Sequence, residues 1–266
     1  DATTTTDGAV TVTQGKLECL SLSSCNMNGS DDYFTIGDTA DMDPVAGYLT
    51  LSAWIKPTNI SAGARAIIAK RVATEVAGNW HFGQNGDELN FRIYAGSGDA
   101  TSVTTATNLL VAGRWHHVAV TMDDVANDVH FYVDGVLVAS DLSTIDHDFT
   151  NNDSPMLIGW SGQGSEYFNG NIRDARFYDQ VLTANQIASL YSGSYNVTPL
   201  HWYKLDEGSG NGTDSGTNSV LASEAGTVNR SNGTLDLDGA LTIDTNGTLS
   251  APRGELQHSI NTAPNI

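Results

Sequence analysis

Residues 129–138 read VHFYVDGVLV, two runs of β-branched and aromatic residues on either side of Asp134-Gly135. An Asp-Gly pair adopts the positive φ angles of a two-residue hairpin turn, and the flanking residues have the composition of strands. This stretch therefore predicts an antiparallel β-hairpin. The same signal recurs along the chain, which has six Asn-Gly pairs and two further Asp-Gly pairs, several of them between other short strand-like runs.

Four further runs have the length and residue types of short strands. They are LTLSAWI at residues 49–55, AIIA at 66–69, LNFRIY at 89–94 and HVAVT at 117–121. Short strands at regular spacing, bounded by turn signals, predict an all-β antiparallel protein, either a two-sheet sandwich or a barrel. We assign Trp54 and Trp115 to its core.

One short helix is predicted near residue 190. Thr183 is a good N-cap, and Gln186 three residues later completes a capping box. Ile187 and Leu190 give an apolar stripe, and Gly193 supplies a left-handed C-terminal stop.

The charge balance excludes several kinds of partner. The 266-residue chain has 12 Lys and Arg against 31 Asp and Glu, a formal net charge of −19. This balance argues against nucleic acid, since duplex binding requires a cationic face, and against docking on an anionic membrane. Apolar runs fall short of the roughly 20 residues that a membrane span needs, so we expect no membrane insertion.

Five blocks within residues 26–193 resemble, in the right order, the laminin-G-like, concanavalin-A-like jelly-roll family. They are NGSDDYFTIGD (28–38), LSAWIKP (51–57), GRWHHVA (113–119), FYVDG (131–135) and FNGNIRDARFY (168–178). The resemblance implies a two-sheet β-sandwich over residues 16–195 that ends in the short helix. It also implies a recognition module that binds carbohydrate or another surface ligand.

The segment after residue 200 also resembles this family. HWYKLDEGSG (201–210) and DSG (214–216) are similar to the segment that normally starts the family's domain, yet here they follow its end. A circular permutation, a shortened second copy and pairing with a neighbouring subunit all explain this order. We predict a small β unit over residues 200–249, docked on the sandwich or completing it. Residues 1–15 and 250–266 are predicted to be extended arms.

Carbohydrate recognition requires exposed aromatic rings, on which sugars stack their C–H faces, and polar groups that fix the hydroxyls. Aromatic residues at predicted strand ends near loops are the candidates, although core packing is the alternative for each. They are Trp80, His81, Tyr94, Trp160 and Tyr167.

Calcium is a possible structural cofactor, since many members of this fold group hold one calcium near the sandwich edge. The resemblance points to Asp32 and Asp174, and Asp206 and Asp214 could join them if the tail replaces the family's first strand. Asp174 could instead pair with a neighbouring arginine. Calcium prefers hard oxygen ligands such as these carboxylates.

Cys19 and Cys25 are separated by a distance in sequence that fits a disulfide in a tight hairpin. A bridge would indicate an oxidising compartment, and two unpaired thiols are the alternative.

We predict a non-enzymatic recognition module at the cell surface, outside the cell or on a virion. The alternative is a structural subunit or decoration protein of a virion, fibre or surface layer, which would self-associate through the terminal arms. A glycosidase of this fold is disfavoured, because none of the seven glutamates alternates with a second carboxylate on a strand.

Overall fold

The computed structural model describes residues 2–4, 10–12, 24–44, 46–71, 77–96, 99–141, 152–194, 197–207, 209–231, 242–243 and 249–250. The chain divides into two units, Ser23–Ser231 and Asp1–Leu22 with Asn232–Ile266. The described part of the second unit consists of two antiparallel strand pairs. The first unit contains the sandwich.

The described residues form nineteen strands, one α-helix and one turn of 3-10 helix. The strands are β1 (Ala2–Thr4), β2 (Val10–Val12), β3 (Ser24–Asn28), β4 (Tyr33–Ile36), β5 (Tyr48–Pro57), β6 (Ala64–Lys70), β7 (Trp80–Asn85), β8 (Glu88–Gly96), β9 (Asp99–Thr104), β10 (His116–Asp123), β11 (Asp128–Val133), β12 (Val136–Asp141), β13 (Met156–Ile158), β14 (Asn169–Tyr178), β15 (His201–Tyr203), β16 (Ala222–Ala225), β17 (Asn229–Ser231), β18 (Thr242–Ile243) and β19 (Leu249–Ser250). The 3-10 turn is Ala40–Met42, and α1 is Ala184–Ser192.

Two antiparallel sheets form the sandwich, as predicted. In the described chain, one sheet has the order β12-β11-β10-β5-β14-β3-β17, with β15 also paired to β14. The facing sheet has the order β16-β4-β13-β6-β7-β8-β9. The predicted hairpin is present as β11 and β12, with Val133 opposite Val136 and both Asp134 and Gly135 at positive φ.

The core lies between the two sheets and follows strand alternation. In β4, Phe34 and Ile36 are fully buried, whereas Tyr33 and Thr35 are half-buried on the outer side. Large core side chains come from both sheets. They include Met27, Phe34, Leu51, Ile55, Trp80, Phe82, Phe91, Val120, Phe131, Ile158 and Phe177.

The assignment of Trp54 and Trp115 to this core is wrong. Ala53 and Ile55 take the core side of β5, so Trp54 between them points to the outer side, where its ring stacks on Tyr191 at 5.6 Å. The Arg173 guanidinium lies 5.1 Å from the Trp54 ring and 4.7 Å from the Trp115 ring. The alternation was visible in the sequence, but it did not say which set of side chains faces inward.

Three strands after residue 200 pair with strands of both sheets. β15 pairs with β14, β17 with β3, and β16 with β4, all antiparallel. The described part of the tail thus completes edges that would otherwise expose unpaired backbone groups.

A buried carboxylate organises this tail. Asp214 accepts hydrogen bonds from the backbone N–H groups of Trp202 and Gly216, both at 2.8 Å. The imidazole of His201 lies between Asp214 (Nδ1 to Oδ2, 2.7 Å) and Asp41 of the 3-10 turn (Nε2 to Oδ2, 2.9 Å). His201 is fully buried, and this chain of hydrogen-bonded side chains ties β15 to the 3-10 turn.

The helix forms as predicted, and both of its ends are capped. The Thr183 hydroxyl accepts from the Gln186 backbone N–H at 3.3 Å, and the Thr183 N–H donates to the Gln186 side chain at 2.8 Å. Gly193 closes the C-terminus at φ 77°. Ile187 and Leu190 are buried in a small cluster on the outer side of the first sheet.

Cys25 lies in β3, and its buried Sγ is 3.5 Å from the Leu205 carbonyl oxygen. Burial raises the pKa of this thiol to about 12. Cys19 lies outside the described residues, so the predicted bridge stays a prediction.

The predicted arms are described only at residues 2–4, 10–12 and 250, where β1 pairs with β2 and β18 with β19.

We expect acid to destabilise the fold. Burial lowers the pKa of His81 to about 3 and of His117 to about 4, whereas an unfolded histidine titrates near 6.5. Below about pH 6.5 the unfolded chain therefore binds protons that the folded protein excludes, and stability falls by about 2 kcal/mol per histidine by pH 5. Urea unfolding at pH 7 and pH 5 measures this loss. His117→Gln should reduce the pH dependence, and an unchanged slope would contradict the assignment.

His201→Ala should destabilise the protein by about 3–5 kcal/mol, because it removes the imidazole that hydrogen-bonds the buried Asp214 carboxylate and leaves that charge uncompensated. Urea unfolding at pH 7 measures the loss. His130→Ala is the matched control, since its half-exposed imidazole pairs with Asp128 at 3.1 Å and should contribute less than about 1 kcal/mol. Equal losses in the free energy of unfolding of the two variants would show that the buried His201 contacts do not stabilise the tail.

Candidate functional site

Three half-buried aromatic rings meet on the outer side of the sheet that contains β4 and β13. Trp160 and Tyr167 stack in parallel, with ring centroids 5.0 Å apart and planes 3° from each other. Tyr33 lies against both, with its centroid 4.8 Å from Trp160 and 6.1 Å from Tyr167. We call Tyr33, Trp160 and Tyr167 the aromatic platform.

The loop between β13 and β14 carries two of these rings. Trp160 and Tyr167 face each other in an isolated antiparallel bridge, and the Phe168 N–H donates to the Gly159 carbonyl at 2.8 Å. Gly162 has φ 81°, and a Cβ at this position would lie 2.5 Å from the Arg71 carbonyl oxygen. The loop therefore lies closely on the sheet, and the platform is part of the folded scaffold.

Ion pairs hold the middle of the same loop. Glu166 Oε2 lies 3.2 Å from Nη1 of the buried Arg71, and Oε1 lies 3.3 Å from Nη1 of Arg92. The Gln163 side chain accepts a further hydrogen bond from Arg71. Because burial holds His81 neutral near pH 7, its 3.8 Å approach to Glu166 is not an ion pair.

The other predicted sugar-binding residues lie inside the protein. Trp80 is fully buried in the core, His81 is fully buried beneath the loop, and Tyr94 is 2% exposed under the Arg71 guanidinium. None of the three offers a ring face to a ligand, so we remove them from the candidate site. Trp160 and Tyr167 remain, and Tyr33 joins them.

Tyr33 was not predicted, because it does not lie beside a loop at a predicted strand end, where the candidate aromatics were sought. The alternation in YFTI (33–36) was a usable signal, since it places Tyr33 and Phe34 on opposite sides of one strand. Its proximity to Trp160 depends on the pairing of β4 with β13, which the sequence does not reveal.

The predicted calcium ligands are engaged in other interactions. The buried Asp32 carboxylate accepts from the backbone N–H groups of Asn28 at 3.1 Å and Thr227 at 2.9 Å. Asp174 receives three hydrogen bonds from the Arg176 guanidinium at 2.8, 3.0 and 3.1 Å, together with one from the Trp202 indole.

Asp206 is half-buried, and Asp214 is held by His201 and backbone N–H groups. Within the described residues, no three His, Cys, Asp or Glu side chains form a group that could hold a metal ion. These carboxylates make contacts within the protein instead of converging on one another, and calcium binding stays a prediction.

The sequence comparison establishes the family. A profile of the concanavalin A-like lectin/glucanases superfamily, of laminin G type, matches residues 28–188, which is more than half of the chain. The chain belongs to this family.

Curated relatives match over a similar length of the chain. Usherin from Mus musculus is 28% identical over 155 residues, which is 57% of this chain and 3% of usherin. Adhesion G-protein coupled receptor V1 from Danio rerio is 27% identical over 172 residues, which is 59% of this chain and 3% of the receptor. The match thus covers a small fraction of these long relatives.

Solved structures share the fold. A putative carbohydrate binding protein from Bacteroides ovatus aligns with a TM-score of 0.58 and 20% identity, covering 84% of this chain and 62% of that one. An SAP-like pentraxin from Limulus polyphemus aligns with a TM-score of 0.50 and 16% identity, covering 76% and 94%. Among the described residues, no helix has the length and apolarity to cross a membrane.

Glu166→Gln should loosen the loop that carries Trp160 and Tyr167, because it removes the charge that pairs with Arg71 and Arg92. Hydrogen bonds to charged groups contribute about 1.5–3 kcal/mol, so amide exchange of residues 161–166 should accelerate about tenfold or more. Hydrogen-exchange mass spectrometry measures this change. Glu88→Gln is the control, since Glu88 pairs with no cation in the described chain; equal acceleration in both variants would contradict the role of Glu166.

Proposed function

We propose that this protein is a non-enzymatic, extracellular recognition module that binds carbohydrate through the aromatic platform. The observation that carries the proposal is the set of three half-buried rings held on a scaffold by backbone and ionic contacts. Aromatic faces beside polar groups are suited to sugar rings, which present apolar C–H faces and hydroxyls together.

Polar groups border the platform. Asp31 is exposed and accepts a 2.6 Å hydrogen bond from the Asn28 side chain. Burial, Tyr33 and the Asp31 charge, in that order, raise the pKa of the Tyr167 phenol, so Asp31 lies near the platform. The Trp160 indole donates to the Gly164 carbonyl at 3.3 Å. These groups supply acceptors and donors at the edge of an apolar surface.

Three further considerations support this function. The family is that of lectins and glucanases, and the chain resembles in fold a protein named as a putative carbohydrate-binding protein. A relative is named as an adhesion receptor, which is consistent with a position outside the cell. Glu166 beside the platform is occupied by Arg71 and Arg92, and the function requires no catalytic group.

A glycan and polysaccharide array probed with the purified chain tests the proposal. Trp160→Ala should weaken binding of any selected glycan at least about tenfold, since central aromatic anchors contribute about 2 kcal/mol or more. Trp115→Ala is the matched control, because that half-buried indole lies beside Arg173 away from the platform. No binding by the folded protein, or equal losses in both variants, would overturn the proposal.

The same array decides whether calcium takes part. Binding lost in EDTA and restored by calcium would establish a calcium-assisted lectin. Binding unchanged in EDTA would leave carbohydrate recognition intact without a metal, which is the outcome that the engaged carboxylates favour.

A further inference from the structure

A fully buried lysine lies at the end of β6, within a cage of oxygen atoms. Lys70 Nζ is 2.8 Å from Asp38 Oδ1 and 2.9 Å from Asp43 Oδ1. It is also 2.6 Å from the main-chain oxygen of Asn152 and 3.2 Å from its side-chain oxygen. Lysine is almost never fully buried unless paired, so this arrangement is a specific feature of the fold.

Three segments distant in sequence build this cluster. Lys70 ends β6, Asn152 lies four residues before the start of β13, and Met156 of β13 pairs directly with Lys70. Asp43 follows the 3-10 turn. The sheet register thus places an amine, a carboxamide and a carboxyl group together.

Asp43 lies between the other two groups. Its Oδ1 is 2.9 Å from Lys70 Nζ and 3.5 Å from the Asn152 side-chain nitrogen, and its side chain is 1% exposed. Burial raises the pKa of Asp43, against the hydrogen bond and the charge of Lys70, which lower it. A carboxyl group so placed can take a proton from the amine and return one to the carboxamide nitrogen.

We propose that Lys70 and Asn152 join in an intramolecular isopeptide bond, with Asp43 as the proton carrier. The Lys70 ammonium first transfers a proton to Asp43 Oδ1, which leaves a neutral amine. The Nζ lone pair then attacks the Asn152 side-chain carbon, and a bond forms between the two atoms.

The carbon–nitrogen bond of the Asn152 carboxamide breaks in the second half of the step. Asp43 gives its proton to the departing nitrogen. Lys70 Nζ then loses a proton to the Asp43 carboxylate, which passes it to the same nitrogen. Nitrogen leaves as ammonium and Asp43 is again ionised, so atoms and charge balance without a further reactant. Holding both groups in contact supplies the proximity that such a reaction needs.

The intact mass of the full chain tests the proposal directly. The folded protein should be lighter than its sequence by one ammonia, about 17 Da. Trypsin does not cleave after an acylated lysine, so digestion should yield a branched peptide of residues 66–71 joined to residues 115–173. A succinimide at an Asn-Gly pair also loses ammonia, but it forms no branched peptide and is opened by hydroxylamine.

Variants test the roles of the individual groups. Lys70→Arg, which keeps the positive charge, should restore the full sequence mass, and Asp43→Asn should slow bond formation about 10²–10⁴-fold. Asp38→Asn is the matched control and should retain the bond, because Asp38 pairs with Lys70 at 22% exposure and makes no described contact with Asn152.

The wild-type protein alone can overturn the proposed isopeptide bond. A natively folded wild-type chain with the full sequence mass and no branched peptide would show that the cluster is an ionic contact only. Persistence of the branched peptide in Asp43→Asn at the wild-type rate would overturn the role of Asp43. Neither result bears on the aromatic platform, which is tested by glycan binding.

Discussion

The sandwich depends on a carboxylate–imidazole–carboxylate chain that fixes the segment after residue 200. His201 bridges Asp214 and Asp41, and Asp214 also accepts hydrogen bonds from three backbone N–H groups of the tail. With β15 held in this way, β16 and β17 can cover the edges at β4 and β3. Buried charges are costly unless they are satisfied, so this network favours the arrangement of the tail in which every partner is present.

Charged side chains also position aromatic residues on the two outer faces of the sandwich. On one side, Arg71 and Arg92 hold the loop that carries Trp160 and Tyr167 through a single glutamate, Glu166. On the other side, Arg173 lies against the rings of Trp54 and Trp115. In a chain with only 12 basic residues, arginines are thus placed where they organise aromatic rings. Cation–π contacts and ion pairs fix ring orientation with more directional force than apolar burial.

Local signals predicted much of the fold. The hairpin at residues 129–138 and the capped helix both follow from short-range backbone chemistry, and the order of family motifs identified the sandwich. The direction of side chains was harder to predict, because period-2 alternation gives two faces of a strand without saying which one is buried. Trp54 was therefore placed in the core, although Ala53 and Ile55 fill the core side of β5.

The site was predicted only in part. Trp160 and Tyr167 lie on a recognisable loop, but Tyr33 joins them through strand pairing across more than a hundred residues. The position of the tail could not be predicted, because its strands pair with strands that are distant in the sequence.

The late position of the edge strands has a consequence for how the protein is made. The hydrogen bond between Thr227 and Asp32 joins residues 195 positions apart, and β17 pairs with β3 over a similar separation. During synthesis, residues 24–178 can leave the ribosome with the edges at β3 and β4 still open. Contacts of such long range slow folding, and open edges are the places where nascent chains pair wrongly. The step that closes the sandwich therefore waits until β16 and β17 have been made, and until then the open edges favour aggregation and chaperone binding.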